Sequence, residues 1–431
     1  MAGAEILSVK GLYALNSRGH PTIKVVVATR SGAKGYGLAP SGASRGEREA
    51  VELRDGGRKW LGRGVSRVLA ILENEVAPRL VGVDVTRQRY VDGLLISIDG
   101  TPNKSRIGGN LTTATSIAVA RAASSHLGLE PFQYIGGVER RLLPTPLLNI
   151  INGGVHAGNK LSIQEFMIIP VGADSFLDAM RISVEVYGTL KEILKEKYGK
   201  QAINVGDEGG FAPPLEYTRD ALDLLVEAIT GAGYAPGADV ALGIDAAASQ
   251  FYDQNSQSYS IDGKQLTAPE LLEYYSALAD EYPLVYIEDP FWENDWESFR
   301  EITRKLGSRL LIVGDDLYTT NVRYLRKGLD LHATNAVLVK INQVGTLSET
   351  IDFVHEAKWN GLRAIVSHRS GDTEDPFIAD LSVALGTGLI KTGAPARGER
   401  TAKYNRLIEI ESMIDSPAYA GARPFPSKPK G

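Results

Sequence analysis

After residue 144, short apolar runs recur along the chain, and each of them ends at, or contains, a charged or polar residue. In chain order, these polar positions are Asp245, Glu288, Asp315, Lys340, His368 and Lys391. Successive members are 43, 27, 25, 28 and 23 positions apart, and amphipathic helical stretches at 218–233 and 267–282 precede the first two runs. An eight-unit β/α barrel uses roughly 31 residues for each strand and helix, so this spacing predicts such a barrel.

A doubly wound sheet is the alternative architecture, because it also alternates strands with helices. The near-continuous apolar runs are typical of strands buried on both faces of a parallel sheet, which suits either fold. Regular spacing and a polar residue at every strand end favour the barrel, whose strand ends converge on the face that carries active sites.

The chain before the glycine pair Gly136 and Gly137 has a different pattern, which predicts an α+β unit. Strands are predicted at 5–15 and 21–29, and helices at 64–76, 86–97 and 110–128. The glycine-rich stretch 35–49 is too irregular for a strand and predicts a mobile loop. We therefore expect two domains, 1–137 and 138–431.

The composition narrows the chemistry. The chain has 431 residues, 43% of them hydrophobic and 23% charged, as in a globular protein with a large core. A net charge of -5 gives no reason to expect nucleic acid or an anionic membrane as a partner. There are no cysteines, so a metal must be held by oxygen or histidine. The first residues lack the features of a secretory signal, and no apolar run reaches membrane-spanning length, so we expect a cytoplasmic protein.

Three of the strand-end residues are acids: Asp245, Glu288 and Asp315. A single acid at a strand exit is ordinarily explained by helix N-capping. Three such carboxylates on neighbouring strand ends would repel one another unless they were protonated or bound to a cation. A hard divalent cation with oxygen ligands resolves this repulsion, and we expect Mg²⁺.

Lys340 and Lys391 belong to later strands, where a buried lysine is costly unless it is paired. Either lysine could simply neutralise the acids, or one could act as a general base whose pKa is lowered by nearby positive charge, including the metal. The loop after the fifth run contains His368, Arg369 and Ser370. Arginine and serine beside a barrel mouth are good donors to a phosphate or carboxylate, although an ordinary polar loop has the same composition.

Two glycine-rich stretches also carry polar side chains. The first includes His156, Gln164 and Glu165, and the second includes Asp207 and Glu208. Acids in such backbone are often turn formers. Glycines also permit a ligand to approach the backbone closely, so a catalytic acid in either stretch is a credible alternative.

A rival motif lies in the predicted loop. The segment from Gly42 to Gly46 matches the G-x-S-x-G nucleophile elbow, with Ser44 as the nucleophile and His368 downstream, so a serine hydrolase is a competing hypothesis. The elbow requires a buried strand directly before the serine, whereas the preceding residues are small and include Pro40. The sequence contains neither a phosphate-binding P-loop motif nor an H-E-x-x-H zinc motif.

Motifs spread over nearly the whole chain indicate a family. They are NSRGHPT, APSGAS, ELRDG, DGTPNKS, LNIINGG, HAGN, QEFMI, VGDEGG, IEDPF, GDDL, KINQVGTLSET, VSHRSGDTEDPFIADL and IKTGAPARGER. In these motifs the chain closely resembles the enolases, a family of glycolytic lyases. The resemblance implies a modified β/α (TIM-like) barrel with an N-terminal α+β capping domain. It also implies the reversible dehydration of 2-phosphoglycerate to phosphoenolpyruvate.

The resemblance further implies two Mg²⁺ ions per active site. Asp245, Glu288 and Asp315 match the ligands of the first ion. Ser44 matches a ligand of the second, in a lid that closes over the substrate phosphate. Arg45 follows Ser44 where the family usually reads SGAST. This departure would alter lid closure or add a contact to the phosphate.

The same resemblance assigns the catalytic steps. Lys340 matches the base that accepts the C2 proton, and Glu208 matches the acid that donates a proton as the C3 hydroxyl leaves. The other catalytic matches are Glu165 and His368. The substrate-binding matches are His156, Gln164, Glu165, Arg369, Ser370 and Lys391.

The family also implies a homodimer or larger homo-oligomer, and it allows a secondary pool at the cell surface or outside the cell. Two alternatives stay open. Another superfamily member acting on a different carboxylate would be expected to lack the GDEGG acid and the SHRSG loop together. A binding or scaffold role would have only the basic tail 427–431 to support it, and a solvated terminus explains that tail better.

Overall fold

The computed structural model describes residues 3–42, 46, 48–154 and 157–426. The strands are β1 (Ile6–Leu15), β2 (Pro21–Thr29), β3 (Lys34–Leu38), β4 (Leu142–Leu143), β5 (Thr145–Asn152), β6 (Glu165–Ile169), β7 (Ala241–Asp245), β8 (Tyr252–Asp253), β9 (Ser258–Ile261), β10 (Lys264–Leu266), β11 (Leu284–Glu288), β12 (Leu311–Gly314), β13 (Ala336–Val339), β14 (Arg363–Ser367), β15 (Leu389–Lys391) and β16 (Ala418–Tyr419). The α-helices are α1 (Ser66–Ile71), α2 (Ala77–Leu80), α3 (Gln88–Asp99), α4 (Gly109–Leu127), α5 (Pro131–Gly136), α6 (Phe176–Tyr198), α7 (Thr218–Gly231), α8 (Ala268–Glu281), α9 (Trp296–Leu306), α10 (Val322–Leu331), α11 (Ile341–Val344), α12 (Leu347–Trp359), α13 (Phe377–Leu385) and α14 (Gly398–Met413). None of these helices combines the length and apolarity needed to cross a membrane.

The N-terminal elements form a three-stranded antiparallel sheet of order β1-β2-β3, against which α4 packs. The strands and helices predicted for this part are present, with 64–76 divided between α1 and a π-helical turn, Leu72–Val76. Their apolar side chains, among them Ile23, Val25 and Leu111, form a core of their own.

The prediction that 35–49 forms a loop is wrong at its beginning, because 35–38 belongs to strand β3. The glycines that suggested a loop are needed for packing. A Cβ atom on Gly35 would lie 2.2 Å from the carbonyl oxygen of Ala118 in α4. The strand can therefore run this close to the helix only with glycine at that position.

Eight strands close into a barrel in the order β11-β12-β13-β14-β15-β5-β6-β7, which confirms the predicted barrel and excludes the doubly wound sheet. Strand β6 is antiparallel to both of its neighbours, whereas the other seven strands run in one direction. The described residues that connect β5 to β6 contain no α-helix, so β6 returns directly alongside β5. Helices α6 and α7 then lead to β7.

The reversed direction of β6 decides which of its ends reaches the barrel mouth. Glu165, the first residue of β6, pairs in register with Asp245, the last residue of β7. Inside the barrel, apolar side chains such as Met167, Leu338 and Ile365 fill the space. The interior is packed, so polar chemistry is confined to the mouth.

A buried ion pair joins the N-terminal elements to the barrel. Arg121 on α4 donates two hydrogen bonds to the carboxylate of Asp375, at 2.8 and 2.6 Å. Asp375 also accepts the backbone N–H groups of Leu38 at 3.1 Å and Phe377 at 3.0 Å. Burial acts to raise the pKa of Asp375, but Arg121 and the hydrogen bonds outweigh burial and leave the pKa below its ordinary value.

Replacing Asp375 with asparagine is expected to cost about 3 kcal/mol at pH 7, because Arg121 would stay buried without its carboxylate partner. A carboxyl group whose folded pKa is depressed stabilises the protein above its unfolded pKa of about 3.9, and this contribution is lost as the pH falls through the folded pKa. The difference in Tm between wild type and variant should therefore be constant from pH 7 to pH 5 and narrow below about pH 4.

Thermal unfolding across this pH range measures the effect. Asp352→Asn is the matched control, because Asp352 pairs with Arg89 at the exposed edge of the same junction and should contribute less than about 1 kcal/mol. If the difference in Tm between wild type and Asp375→Asn did not narrow as the pH fell, loss of the ion pair would not be its cause.

Candidate active site

Most of the residues predicted from the sequence line one cavity at the barrel mouth. They are Gln164, Glu165, Glu208, Asp245, Asp315, Lys340, His368, Arg369, Ser370 and Lys391. Glu288 is buried beside the cavity and contacts Lys391. His156 and Ser44 lie outside the described residues, as does Arg45.

Lys391 on β15 pairs with three acidic side chains at once. Its Nζ donates to Asp245 Oδ2 and Glu288 Oε2, both at 2.8 Å, and lies 3.1 Å from Glu165 Oε2. These acids belong to the adjacent strands β7, β11 and β6. Burial acts to lower the pKa of Lys391, but the acids outweigh burial and raise the pKa well above its ordinary value, so the side chain is a fixed cation.

The acids around Lys391 carry more negative charge than one lysine offsets. Burial raises the pKa of Glu288 to about 8, and Asp245 adds to this rise while Lys391 opposes it. Burial also raises the pKa of Glu165 well above its ordinary value, and the neighbouring Glu208 adds to that rise. A set of buried carboxyl groups with raised pKa values favours the binding of a further cation.

Lys340 directly follows β13 and forms an ion pair with Asp315. Burial acts to lower the pKa of Lys340, but Asp315 outweighs burial and raises the pKa above its ordinary value. The predicted lowering of this pKa depends on the positive charge of a bound metal as well as on the side chains, so it stays a prediction. Gln343 also donates to Asp315 Oδ1, at 2.9 Å.

Two further acids of the site were missed by the sequence prediction. Oxygen atoms of Asp289, Asp315 and Asp316 lie within 4.8 Å of one another. Asp289 accepts the backbone N–H groups of Asp315 and Asp316, each at 2.9 Å, and so holds the end of β12. The doubled acids in IEDPF and GDDL were the available signal. The possible metal-ligand atoms of this set, and those of Asp245, Glu288 and Asp315, are carboxylate oxygens, which fits Mg²⁺.

Glu208 and His368 are neighbours in the cavity. His368 Nε2 lies 3.4 Å from Glu208 Oε2, which also accepts a hydrogen bond from Asn149 at 3.1 Å. Burial lowers the pKa of His368 to about 4, although Glu208 acts to raise it. The ring is therefore neutral at pH 7, so His368 acts there as a hydrogen-bonding group and not as a charged one.

Arg369 is held by Glu49, which the sequence showed only as the last residue of the predicted loop. The two terminal nitrogens of Arg369 donate to the two carboxylate oxygens of Glu49, at 2.8 and 3.0 Å. Glu49 Oε1 also accepts the backbone N–H of Gly46 at 3.2 Å. Ser41 exchanges backbone hydrogen bonds with Gly371 at 2.9 and 2.8 Å. Two described parts of the predicted loop are thus attached to the loop that carries Arg369.

Gln164 and Ser370 are fixed by contacts with more distant parts of the chain. Gln164 Oε1 accepts a hydrogen bond from Gln250 at 2.6 Å. The carbonyl oxygen of Ser370 accepts from Arg400 at 2.6 Å and from Ser17 at 3.3 Å. Arg400 lies in the motif GAPARGER, but nothing in the motif marks it as a buried contact of the site.

Comparisons with known proteins find matches over nearly the whole chain. The family model described as "Enolase, N-terminal domain" matches residues 6–135, and the one described as "Enolase, C-terminal TIM barrel domain" matches residues 140–427. A curated enolase of Aeropyrum pernix is 59% identical over 96% of this chain and 95% of its own length. The enolases of Pyrococcus furiosus and Methanocaldococcus jannaschii are 53% and 52% identical, each over 97% of both chains. With this identity over nearly its full length, the chain belongs to the enolase family of magnesium-dependent phosphopyruvate hydratases.

Proposed function

We propose that the chain carries out the family's glycolytic reaction, the interconversion of 2-phosphoglycerate and phosphoenolpyruvate, in the cavity at the barrel mouth. One observation carries the proposal: Lys340, Glu208 and Lys391 line the same buried cavity although they come from distant parts of the chain. Loss of a proton and a hydroxyl from adjacent carbons requires a base, an acid and a positive charge in one small space.

The family requires Mg²⁺, and we assign one ion to Asp245, Glu288 and Asp315. These acids end, or directly follow, the adjacent strands β7, β11 and β12, and each is paired with a lysine ammonium group. Asp289 also lies near Asp315, but two backbone N–H groups engage its oxygens, which makes it a supporting residue. When bound, Mg²⁺ would stabilise the negative charge that develops on the substrate carboxylate. A second ion at Ser44, which gives two per active site, belongs to the same proposal.

Removal of the C2 proton is assigned to Lys340. This proton is only weakly acidic, because its loss adds charge to an anion. Lys391, which its three acidic neighbours hold as a cation, would offset that charge on the substrate carboxylate. Arg369 and Ser370 would hold the phosphate, since guanidinium and hydroxyl groups are good donors to phosphate oxygens.

Departure of the C3 hydroxyl is assigned to Glu208, because the hydroxyl leaves as water only if it receives a proton. Burial raises the pKa of Glu165 well above its ordinary value and Glu208 adds to this rise, so the two carboxyl groups together hold a proton, which Glu208 would deliver to the hydroxyl. His368 would donate a hydrogen bond at the same place. Gln164 and His156 complete the proposed substrate-binding set.

The alternative functions have less support. Another superfamily enzyme would be expected to lack the GDEGG acid and the SHRSG loop, whereas Glu208 and Arg369 both line this cavity. A nucleophile elbow needs a strand immediately before the serine and a helix after it. Strand β3 ends at Leu38, and the described residues from 48 to 58 form no helix. The tail that could support a scaffold role lies outside the described residues.

We also propose the division into domains 1–137 and 138–431, with the remainder of 35–49 beyond β3 as a lid. The separate apolar cores of the N-terminal elements and of the barrel support this division. A homodimer or larger homo-oligomer in the cytoplasm is proposed from the family alone.

An absorbance assay for phosphoenolpyruvate formation from 2-phosphoglycerate tests the function. We expect turnover with Mg²⁺, loss of turnover in EDTA and recovery when Mg²⁺ is restored. Asp245→Asn should raise the Mg²⁺ concentration needed for turnover. Asp330→Asn, on the exposed face of α10, should leave this concentration unchanged. A protein that was inactive with Mg²⁺, or equally active in EDTA, would contradict the proposal.

A further inference from the structure

Arg400, in the first turn of α14, is completely buried beneath the loops of the active site. Its guanidinium donates hydrogen bonds to His368 Nδ1 at 2.5 Å and to the carbonyl oxygens of Arg369 at 2.7 Å, Ser370 at 2.6 Å and Asp207 at 3.1 Å. One side chain outside the cavity therefore connects the loop after β14 with the segment that carries Glu208.

These contacts determine where His368 carries its proton. A guanidinium group only donates hydrogen bonds, so Nδ1 of His368 must accept. A neutral imidazole has one N–H group, which must then be at Nε2. Glu208 and Asp372 act to raise the pKa of the ring, but burial and Arg400 outweigh them, so the ring is neutral at pH 7.

Among the described residues, the N–H group at Nε2 has only one acceptor nearby, and that acceptor is distant. Nε2 is buried and forms no hydrogen bond with any described residue, and Glu208 Oε2 is 3.4 Å away. His368 also lines the cavity. A buried donor without an acceptor costs about 1–3 kcal/mol, so a donor kept in this position is available for a group that enters with the substrate.

We propose that Arg400 is a positioning residue that fixes His368 as a neutral donor at Nε2, directed at Glu208 and at the oxygen that leaves C3. This inference rests on the proposed function and extends it to a residue that does not touch the cavity. The other tautomer would carry its N–H at Nδ1, against the guanidinium of Arg400, and two donors would then face each other.

A role in packing alone does not explain the arrangement. Three of the four hydrogen bonds of Arg400 go to backbone carbonyl oxygens and join the two loops. The contact with His368 Nδ1, at 2.5 Å, is the shortest of the four and is the one that fixes the proton on the ring.

The tautomer can be observed in two-bond ¹H–¹⁵N correlation spectra of the full-length protein labelled with ¹⁵N-histidine. The chain has six histidines, and His368→Gln identifies the signal by its disappearance. We expect the Nε2–H tautomer in the wild type and in Arg400→Lys, whose ammonium group also only donates. Arg400→Gln, whose amide can accept, should release the ring into a mixture of tautomers. An Nδ1–H tautomer or an imidazolium in the wild type at pH 7 would overturn the proposal.

Kinetics test whether the reaction uses this donor. His368→Gln keeps an N–H donor near the position of Nε2, whereas His368→Asn moves the donor to the position of Nδ1. We expect kcat to be about 10-fold lower in His368→Asn than in His368→Gln, with KM values within about threefold of each other. Equal kcat values would overturn the proposal. His332→Asn, at the exposed end of α10, controls for the substitution and should keep wild-type kcat.

The two measurements separate this inference from the proposed function, because the tautomer is observed without substrate. An inactive wild-type protein with the Nε2–H signal would contradict the proposed function. An active protein with the Nδ1–H signal would contradict the role of Arg400.

Discussion

Replacing Lys340 with alanine is expected to stop exchange of the C2 proton of 2-phosphoglycerate with solvent and to lower kcat by about 10³-fold. The variant loses the group that is assigned to take the proton, whereas Lys391 and Arg369 still line the cavity. KM should therefore change far less than kcat. Proton exchange in deuterated water, followed by NMR, measures the first effect, and the steady-state assay measures the second.

Two controls accompany this variant. Lys327→Ala removes an exposed lysine of α10, which lies over the ring of Trp296, and should keep wild-type kcat. Since Lys340→Ala also leaves Asp315 without its ion pair, Tm is measured and the kinetics are recorded well below it. Exchange at the wild-type rate in Lys340→Ala would refute its role as the base.

Replacing Lys391 with methionine should destabilise the protein by about 3–5 kcal/mol in EDTA and abolish turnover. Without Nζ, the buried carboxylates of Asp245 and Glu288 have no positive charge between them. If Mg²⁺ binds these two acids, its addition should recover part of the lost stability, since a ligand that binds only the folded state stabilises it. Turnover should not return, because the charge assigned to the substrate carboxylate is missing.

Thermal unfolding in EDTA and at increasing Mg²⁺ concentrations measures both parts of this prediction. Lys305→Met is the matched control, because Lys305 pairs with Glu273 at the surface and should contribute less than about 1 kcal/mol. A Lys391→Met variant whose Tm did not respond to Mg²⁺ would contradict Asp245 and Glu288 as metal ligands.

The acids at the ends of the parallel strands could be located from sequence for a physical reason. A strand buried on both faces is apolar along its length, so a polar residue at its end is conspicuous. Asp245 ends β7, Glu288 ends β11 and Asp315 follows β12, and parallel strands bring such ends to one face. Regular spacing along the chain was therefore enough to predict their proximity.

Glu165 could not be found in this way, because it begins its strand instead of ending it. An apolar run does not indicate the direction of its strand in the sheet, so the pattern does not reveal that β6 is antiparallel to its neighbours. The resemblance to the family brought Glu165 into the prediction, and the register with Asp245 explains how it reaches the mouth.

No pattern in the sequence could predict the contacts that Glu49 and Arg400 make in the site. Their partners Arg369 and His368 lie 320 and 32 positions away, and no local signal distinguishes a buried charge from a solvated one. Gly35 shows the same limit for the fold. The glycine-rich sequence around it suggests a loop, whereas its close contact with α4 accompanies a strand. Tertiary contacts determine all three cases.

Closure of the barrel joins β15 to β5, in a register that places Lys391 opposite Leu147. These are the last and first strands of the barrel along the chain, so their pairing closes a very long loop and must wait for the whole barrel to be synthesised. Asp245 and Glu288 therefore leave the ribosome before the ammonium group that neutralises them. A chain that stopped short of β15 would leave β14 and β5 without the strand between them, and Asp245 and Glu288 without Lys391. The final strand thus completes both the barrel wall and the pairing of these two acids.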